Sequence, residues 1–335
     1  MTAPIGQHWQ QVNECEDLLG AKYRARTYSF RSYQGTVDTT LVDHLGEQKA
    51  TRGILYIHGY TDYFFQTGLA EHFIALGYRF YAIDLQGYGR SIRPNFLPNW
   101  CDSIDQYWQD LDIALATMKQ DGINQVTLLA HSTGGLIASG YVAQPYSPLE
   151  REQYYQRAFP DITGLILNSP FLAMPFSPKV LDRLSGVMKM IVSVCSSVAI
   201  QAKKPSLYAQ SLHTKFGGDW DYRLDWKPLT GFPLSFYWLK QIMLAQQQLS
   251  HQCIDTPTLL CHSEISTIHK KTISEMQCGD GVLDIHSMQN AAEKCFNQLS
   301  KVAIEQGFHD LYLSRLPARQ KYLAIIDNWL SQQPS

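Results

Sequence analysis

The sequence predicts an α/β fold: a mostly parallel central sheet with helices on both faces, interrupted by a helical insertion. Three observations carry this. Short β-branched or apolar runs alternate with longer amphipathic ones. Two early runs, Arg24 to Tyr33 and Val37 to His44, flank a Gln-Gly turn signal and form an antiparallel opening hairpin. From Ser169 to about His251 the strand rhythm stops, and proline, aromatic and methionine residues crowd in.

Taken in order, buried strands are expected at Gly53 to Ile57, Arg79 to Asp84, Gln125 to Ala130 and Ile162 to Asn168. Between them, helical patterns lie near Phe64 to Leu76, Ile104 to Lys119 and Gly135 to Gln144. The irregular stretch, residues 169–251, is expected to be a lid inserted in a core made of residues 1–168 and 252–335. Within it, Ser177-Pro178 supplies an N-cap and a favoured first helical residue before Val180, Leu181, Leu184, Val187, Met188 and Ile191. That apolar stripe packs against the core, walls a pocket, or does both. The alternation resumes with a strand at Thr258 to Cys261 and a long polar loop to Asp280. A helix from about Ile285 to Leu299, a strand at Lys301 to Glu305 and a helix from about Ala318 to Leu330 complete the chain.

At 335 residues, one core plus an insertion is feasible. Only 17% of residues are charged against 45% hydrophobic, so many side chains must be buried or line a greasy cleft. Lysine and arginine total 28 against 30 acidic residues, and no basic run exceeds two residues, which argues against a nucleic-acid partner. Seven scattered cysteines without a C-x-x-C pair speak against a zinc site and a disulfide framework, and fit a reducing compartment. Residues 1–15 lack the apolar core of a signal peptide, and no run approaches the roughly 20 apolar residues of a membrane span. A soluble, cytoplasmic protein is expected.

The chemistry concentrates at a few places. Leu128-Leu129-Ala130-His131-Ser132-Thr133-Gly134-Gly135 puts a serine directly after an apolar strand and before a helical pattern, the setting of a nucleophile elbow. Such a turn needs small residues two before and two after the serine; Gly134 and Ala130 stand there. Upstream, Ile57-His58-Gly59-Tyr60 is a strand running into a His-Gly turn. The backbone N–H groups of Tyr60 and Thr133 are the candidates for stabilising a tetrahedral oxyanion, and His58 is read as structural. Asp62-Tyr63-Phe64-Phe65 is expected at the cleft mouth. Serine at its ordinary pKa is a poor nucleophile and needs a base that titrates near neutrality. Of the 11 histidines, His309 is the one that follows the last strand. Three carboxylates could orient it: Asp280 in a glycine-flanked turn is favoured, ahead of Asp284, which could instead cap a helix, and of Glu264. The two glycines in Asp84 to Ser91 demand a tight loop but lack dinucleotide-binding spacing.

These segments together, from His58-Gly59 to Gly307-Phe308-His309-Asp310, resemble the α/β-hydrolase superfamily. The likeness spans roughly Arg52 to Leu330 and is nearest to the monoacylglycerol lipase, lysophospholipase and serine aminopeptidase-like group. Asp84 to Ser91 is similar to that group's D-x-x-G-x-G-x-S loop, which supports the active-site floor. The 18 residues between Cys261 and Asp280 make a longer loop than the group usually has before its acid. The resemblance implies an α/β-hydrolase fold and ester hydrolysis through an acyl-enzyme, with no cofactor or metal. An apolar lid then suggests a small-molecule or lipid-like ester substrate and transient contact of the lid with a membrane surface. A peptidase or amidase is the first rival and would need lid carboxylates such as Asp219, Asp221 or Asp225 to face the cleft. The rival from another class is a non-catalytic binding protein on the same scaffold.

Overall fold

The structure is a computed structural model that describes residues 8–46, 49–94, 96–144, 150, 153–154, 157–176, 186 and 199–333. The expected lid helix after Ser177-Pro178 lies outside the described residues. Among the described residues, nine strands form one sheet: β1 (Trp9–Glu16), β2 (Tyr23–Ser32), β3 (Gly35–His44), β4 (Arg52–Ile57), β5 (Arg79–Asp84), β6 (Gln125–His131), β7 (Asp161–Asn168), β10 (Thr258–Ser263) and β11 (Leu299–Ile304). Their spatial order is β1-β2-β3-β5-β4-β6-β7-β10-β11. Pairings from β1 to β5 are antiparallel, and those from β5 through β4 to β11 are parallel.

The parallel strands are joined by crossover helices α1 (Thr67–Ala75), α2 (Gln106–Gln120) and α3 (Thr133–Val142). Further along, α7 (Ile285–Cys295) precedes β11 and α8 (Leu316–Ser331) follows it. Alternate strand residues face opposite sides. Leu55, Ile57, Leu128 and Ala130 pack into one apolar cluster with α2, α3 and α7, and Ile54, Tyr56 and Leu129 into another with α1 and α8. Both faces of the inner parallel strands β4, β5 and β6 are therefore covered, which is why they read as nearly continuous apolar runs.

Four differences from the sequence-based expectation have physical reasons. β1 carries no buried alternation, because it is an edge strand held by backbone pairing to β2. The helix after Asp284 stops at Cys295, because Phe296 and the residues after it run on into β11. The polar loop before Asp280 contains a single helical turn, α6 (Ile273–Met276), closed by a Thr272–Glu275 capping box. Residues 199–251 contribute nothing to the large sheet, yet they are not strandless. β8 (Ala199–Ile200) pairs with β9 (Leu234–Ser235), beside helices α4 (Leu207–Leu212) and α5 (Phe236–Leu249).

The strand order places the site. From β4 the chain passes outward to β5, then crosses back to β6 on the other side of β4, so the connections leaving β4 and β6 diverge and open a crevice at their carboxyl ends. Gly59-Tyr60 and Ser132 sit at those ends. The loop Asp84 to Ser91 below them is fixed by buried charge. Asp84 accepts the N–H groups of Phe64 (3.0 Å) and Arg90 (2.9 Å) and pairs with the Arg90 guanidinium, which also forks onto Asp17 (2.6 and 2.7 Å). Gln86 in the same loop is anchored to helix α2, its N–H (2.8 Å) and amide (2.7 Å) both donating to Asp110.

Two predictions follow from these contacts. A Cβ on Gly134 would lie 2.6 Å from the Ile57 carbonyl oxygen and nearer still to that of His58, so Gly134→Ala is expected to cost about 1–3 kcal/mol of stability, visible as a lowered melting temperature. Burial pushes the Asp110 carboxyl up to about 7. A raised carboxyl pKa favours folding below the ordinary carboxylate range, and that contribution is lost as pH rises through about 7. Wild-type stability is therefore expected to decline relative to Asp110→Asn by about 1.4 kcal/mol per pH unit from pH 5 towards 7, measured by denaturant titration.

Candidate active site

Ser132 lies in the turn between β6 and α3, with φ +53° and ψ −119°, a region sparsely occupied by residues with side chains. Its N–H donates to the Asn168 carbonyl (3.0 Å) and its own carbonyl accepts from Phe171 (2.9 Å). Both ends of the strained residue are therefore held by the end of β7 and the residues just beyond it. The Ser132 hydroxyl is 2.9 Å from His309 Nε2, and His309 Nδ1 is 2.9 Å from Asp280 Oδ2. The serine and histidine are nearly buried and Asp280 is fully so.

Of the three candidate carboxylates, Asp280 is the one at His309. Its other oxygen accepts the N–H groups of Val282 and Leu283, both at 2.8 Å, which fixes the carboxylate plane. Asp284 instead caps α7, taking the Ser287 N–H (2.9 Å) and hydroxyl (2.6 Å); these bonds hold its carboxyl below the ordinary value. Glu264 is exposed. The long loop to Asp280 is an excursion that returns to its starting point. Asp280 donates to the Ile265 carbonyl (2.9 Å) and accepts from Thr267 (2.6 Å), so the intervening residues bulge out without moving the carboxylate.

On the other side of the serine is the turn after β4. A Cβ on Gly59 would stand 3.0 Å from Ser132 Cβ, which shows how close the two turns come. The Tyr60 N–H has no acceptor among the described residues. The Thr133 N–H belongs to the first turn of α3, where no intrahelical acceptor exists. Both amides are thus free beside the serine. His58 is structural, as the sequence suggested: Nδ1 donates to the Gly59 carbonyl (2.8 Å), Nε2 accepts from Leu85 (3.1 Å), and burial lowers its pKa so that the ring stays neutral.

Ser132 and His309 line a cavity of about 550 Å³ with mostly apolar walls, and Asp280 lies buried behind His309. Residues 199–251 supply much of the wall, among them Ile200, Leu212, Leu229 and Trp238. Among the described residues, the charged side chains on it are Asp62, Lys227 and Asp284. Asp62 and Lys227 form a buried ion pair. Burial alone would raise the Asp62 pKa, but the Lys227 ammonium, together with His131 and His58, holds the carboxyl below its ordinary value. Asp62, His131 and Asp310 place ligand-type atoms within 4.8 Å of one another, and Lys227 already supplies a cation there.

Sequence reasoning did not single out Asn168 or Tyr208. Asn168 donates to Asp310 (2.8 Å) and accepts from Leu311 (3.1 Å), and the Tyr208 hydroxyl accepts the Asp310 N–H (3.0 Å). Together they hold the loop that carries His309. The usable signal was the adjacency of Asp310 to His309 and the position of Asn168 at a strand's carboxyl end. Asp219, Asp221 and Asp225 do not line the cavity. Asp219 pairs with Arg315 and Asp225 with Arg223, and Asp221 is largely exposed. No helix among the described residues is long and apolar enough to cross a membrane.

Comparison with known proteins agrees with the fold. A monoglyceride lipase of Saccharomyces cerevisiae, a soluble variant solved with a substrate analogue, superposes with a TM-score of 0.59 at 16% identity, covering 88% of this chain and 92% of that one. A monoacylglycerol lipase of Paleococcus ferrophilus gives 0.53 at 16% identity, over 83% and 93%. The Caenorhabditis elegans abhydrolase domain-containing protein abhd-5.2 is 28% identical over 196 residues, 54% of this chain and 39% of that relative's length. The sequence pattern described as serine aminopeptidase S33 matches residues 48–312, so the chain has the α/β-hydrolase fold and belongs to that hydrolase family.

Proposed function

We propose that this chain hydrolyses carboxylic esters of lipid-like acyl groups, such as a monoacylglycerol or lysophospholipid, through an acyl-enzyme on Ser132. The observation that carries the reading is the continuous relay from the Ser132 hydroxyl through His309 to Asp280, opening on a mostly apolar cavity. His309 Nε2 takes the hydroxyl proton as Ser132 attacks the ester carbonyl, and Asp280 on Nδ1 holds the required tautomer and stabilises the imidazolium. Negative charge develops on the carbonyl oxygen, where the Tyr60 and Thr133 N–H groups receive it; each such donor is worth about 3 kcal/mol in the transition state. His309 returns its proton to the leaving alcohol, then activates water to free Ser132.

The apolar walls favour an acyl chain over a charged peptide terminus. An aminopeptidase would need an unengaged carboxylate for the substrate amine. Asp62 is paired with Lys227, Asp284 is engaged by Ser287, and the carboxylates at 219, 221 and 225 lie off the cavity.

The test is turnover of p-nitrophenyl esters of increasing chain length, with an aminoacyl anilide alongside. Wild type is expected to prefer longer esters, Ser132→Ala to be inactive, and Asp280→Asn to lose about 10⁴-fold in kcat. Hydrolysis of the anilide alone would move the protein to the peptidase reading. Equal background in wild type and Ser132→Ala, with no fluorophosphonate labelling of Ser132, would leave a binding protein on a hydrolase scaffold.

A further inference from the structure

The turn that carries the Tyr60 N–H is gripped by the segment covering the cavity. Four consecutive side chains, Tyr60 to Tyr63, each bond to residues between Arg223 and Pro233. The Tyr60 hydroxyl donates to the Pro233 carbonyl (3.2 Å), Thr61 Oγ1 accepts the Phe232 N–H (3.3 Å), Asp62 pairs with Lys227, and the Tyr63 hydroxyl accepts the Arg223 N–H (2.8 Å). These partners lie some 160 to 173 residues apart in sequence.

The turn would not hold this shape unaided. Thr61, next to Tyr60, has φ +49°, a genuine outlier for a β-branched residue. From below, Asn99 Oδ1 accepts both its N–H and its hydroxyl, each at 3.1 Å. From above, the covering segment holds it through the four contacts. The Asp62–Lys227 pair is the buried one, with side chains 3% and 14% exposed, and the ammonium also stands 5.4 Å and 5.5 Å from the Phe65 and Tyr222 ring centroids. A buried ion pair adds little net stability over apolar residues of similar volume, so its presence calls for another reason. A short, directional link between two separate segments supplies one.

We propose that Lys227 is a positioning residue: through Asp62 it fixes the Tyr60 turn so that the Tyr60 N–H meets the developing oxyanion. This rests on the serine-hydrolase reading above. Covering the cavity and completing the oxyanion site are then one event, since the same contacts do both. The link acts on charge that exists only in the transition state, so its loss lowers kcat while leaving substrate binding alone.

The experiment compares wild type, Lys227→Met and the double variant Asp62→Asn/Lys227→Met, reading melting temperature, kcat and KM on the best p-nitrophenyl ester. Lys227→Met strands a buried carboxylate, so both melting temperature and kcat should fall. The double variant holds no uncompensated charge, and its melting temperature should return close to that of wild type. Its kcat should remain down by about 10- to 100-fold, as for a misplaced oxyanion donor, with KM within about twofold of wild type. If kcat recovers together with melting temperature, the pair is structural and the proposal is wrong. A rise in KM instead would make Lys227 a substrate contact and equally overturn it. Absence of ester turnover in wild type would remove the ester-hydrolase reading itself, whereas an active wild type with a fully active double variant removes the Lys227 role alone.

Discussion

The close approach of two turns governs everything around it. Gly134, in the first turn of α3, lies so near the carbonyl groups of Ile57 and His58 at the end of β4 that a Cβ there would collide with them, and a Cβ on Gly59 would press on the side chain of Ser132. No side chain fits between them. That contact follows from β4 and β6 being neighbours in the sheet while their outgoing connections part. It forces Ser132 into its positive-φ conformation and brings two unpaired amides to one point beside its hydroxyl. Strain at Ser132 persists because its hydrogen bonds to the Asn168 carbonyl and from the Phe171 N–H over-determine it.

Around that contact the structure spends buried polar groups on fixing loops rather than on filling the core. Asp84 with Arg90 and Asp17 sets the floor, Asn168 with Asp310 sets the loop of His309, and Val282 with Leu283 sets the plane of Asp280. Each of these carboxylates is satisfied on more than one side, which is what makes its burial tolerable. Asp62 is less complete. One of its oxygens meets Lys227, and the other has no hydrogen-bond partner among the described residues.

What the sequence revealed depended on whether a signal was local. Ser132 and Gly134 share one turn with its strand and helix, and His309 follows the last strand, so chain order was enough to nominate them. Asp280 was nominated against Asp284 because a residue just before a helical pattern has a ready capping role, and capping α7 is what Asp284 does. The opening strand Trp9–Glu16 was illegible, since an exposed edge strand leaves no alternation of apolar residues to read. The two-residue strands Ala199–Ile200 and Leu234–Ser235 are too short for any period to register. Contacts between the Tyr60 turn and Arg223 to Pro233 have no sequence signature at all, because they are made by long-range packing between segments that show no shared pattern.

The excursion before Asp280 separates two jobs that a shorter loop would have to combine. Its two ends are stitched together by Ile265 and Thr267 on either side of the Asp280 backbone, so the position of the carboxylate does not depend on what happens between them. What happens between them touches the covering segment instead: the Gln277 side chain donates to the Ser211 carbonyl at the end of α4 and accepts from Arg315, which in turn pairs with Asp219. Insertions or deletions within 268–277 would therefore reshape the roof of the cavity while sparing the hydrogen bonds that join Ser132, His309 and Asp280. The bulge is a place where selectivity can drift during evolution at no cost to chemistry, because loop length past a closed stem is thermodynamically cheap.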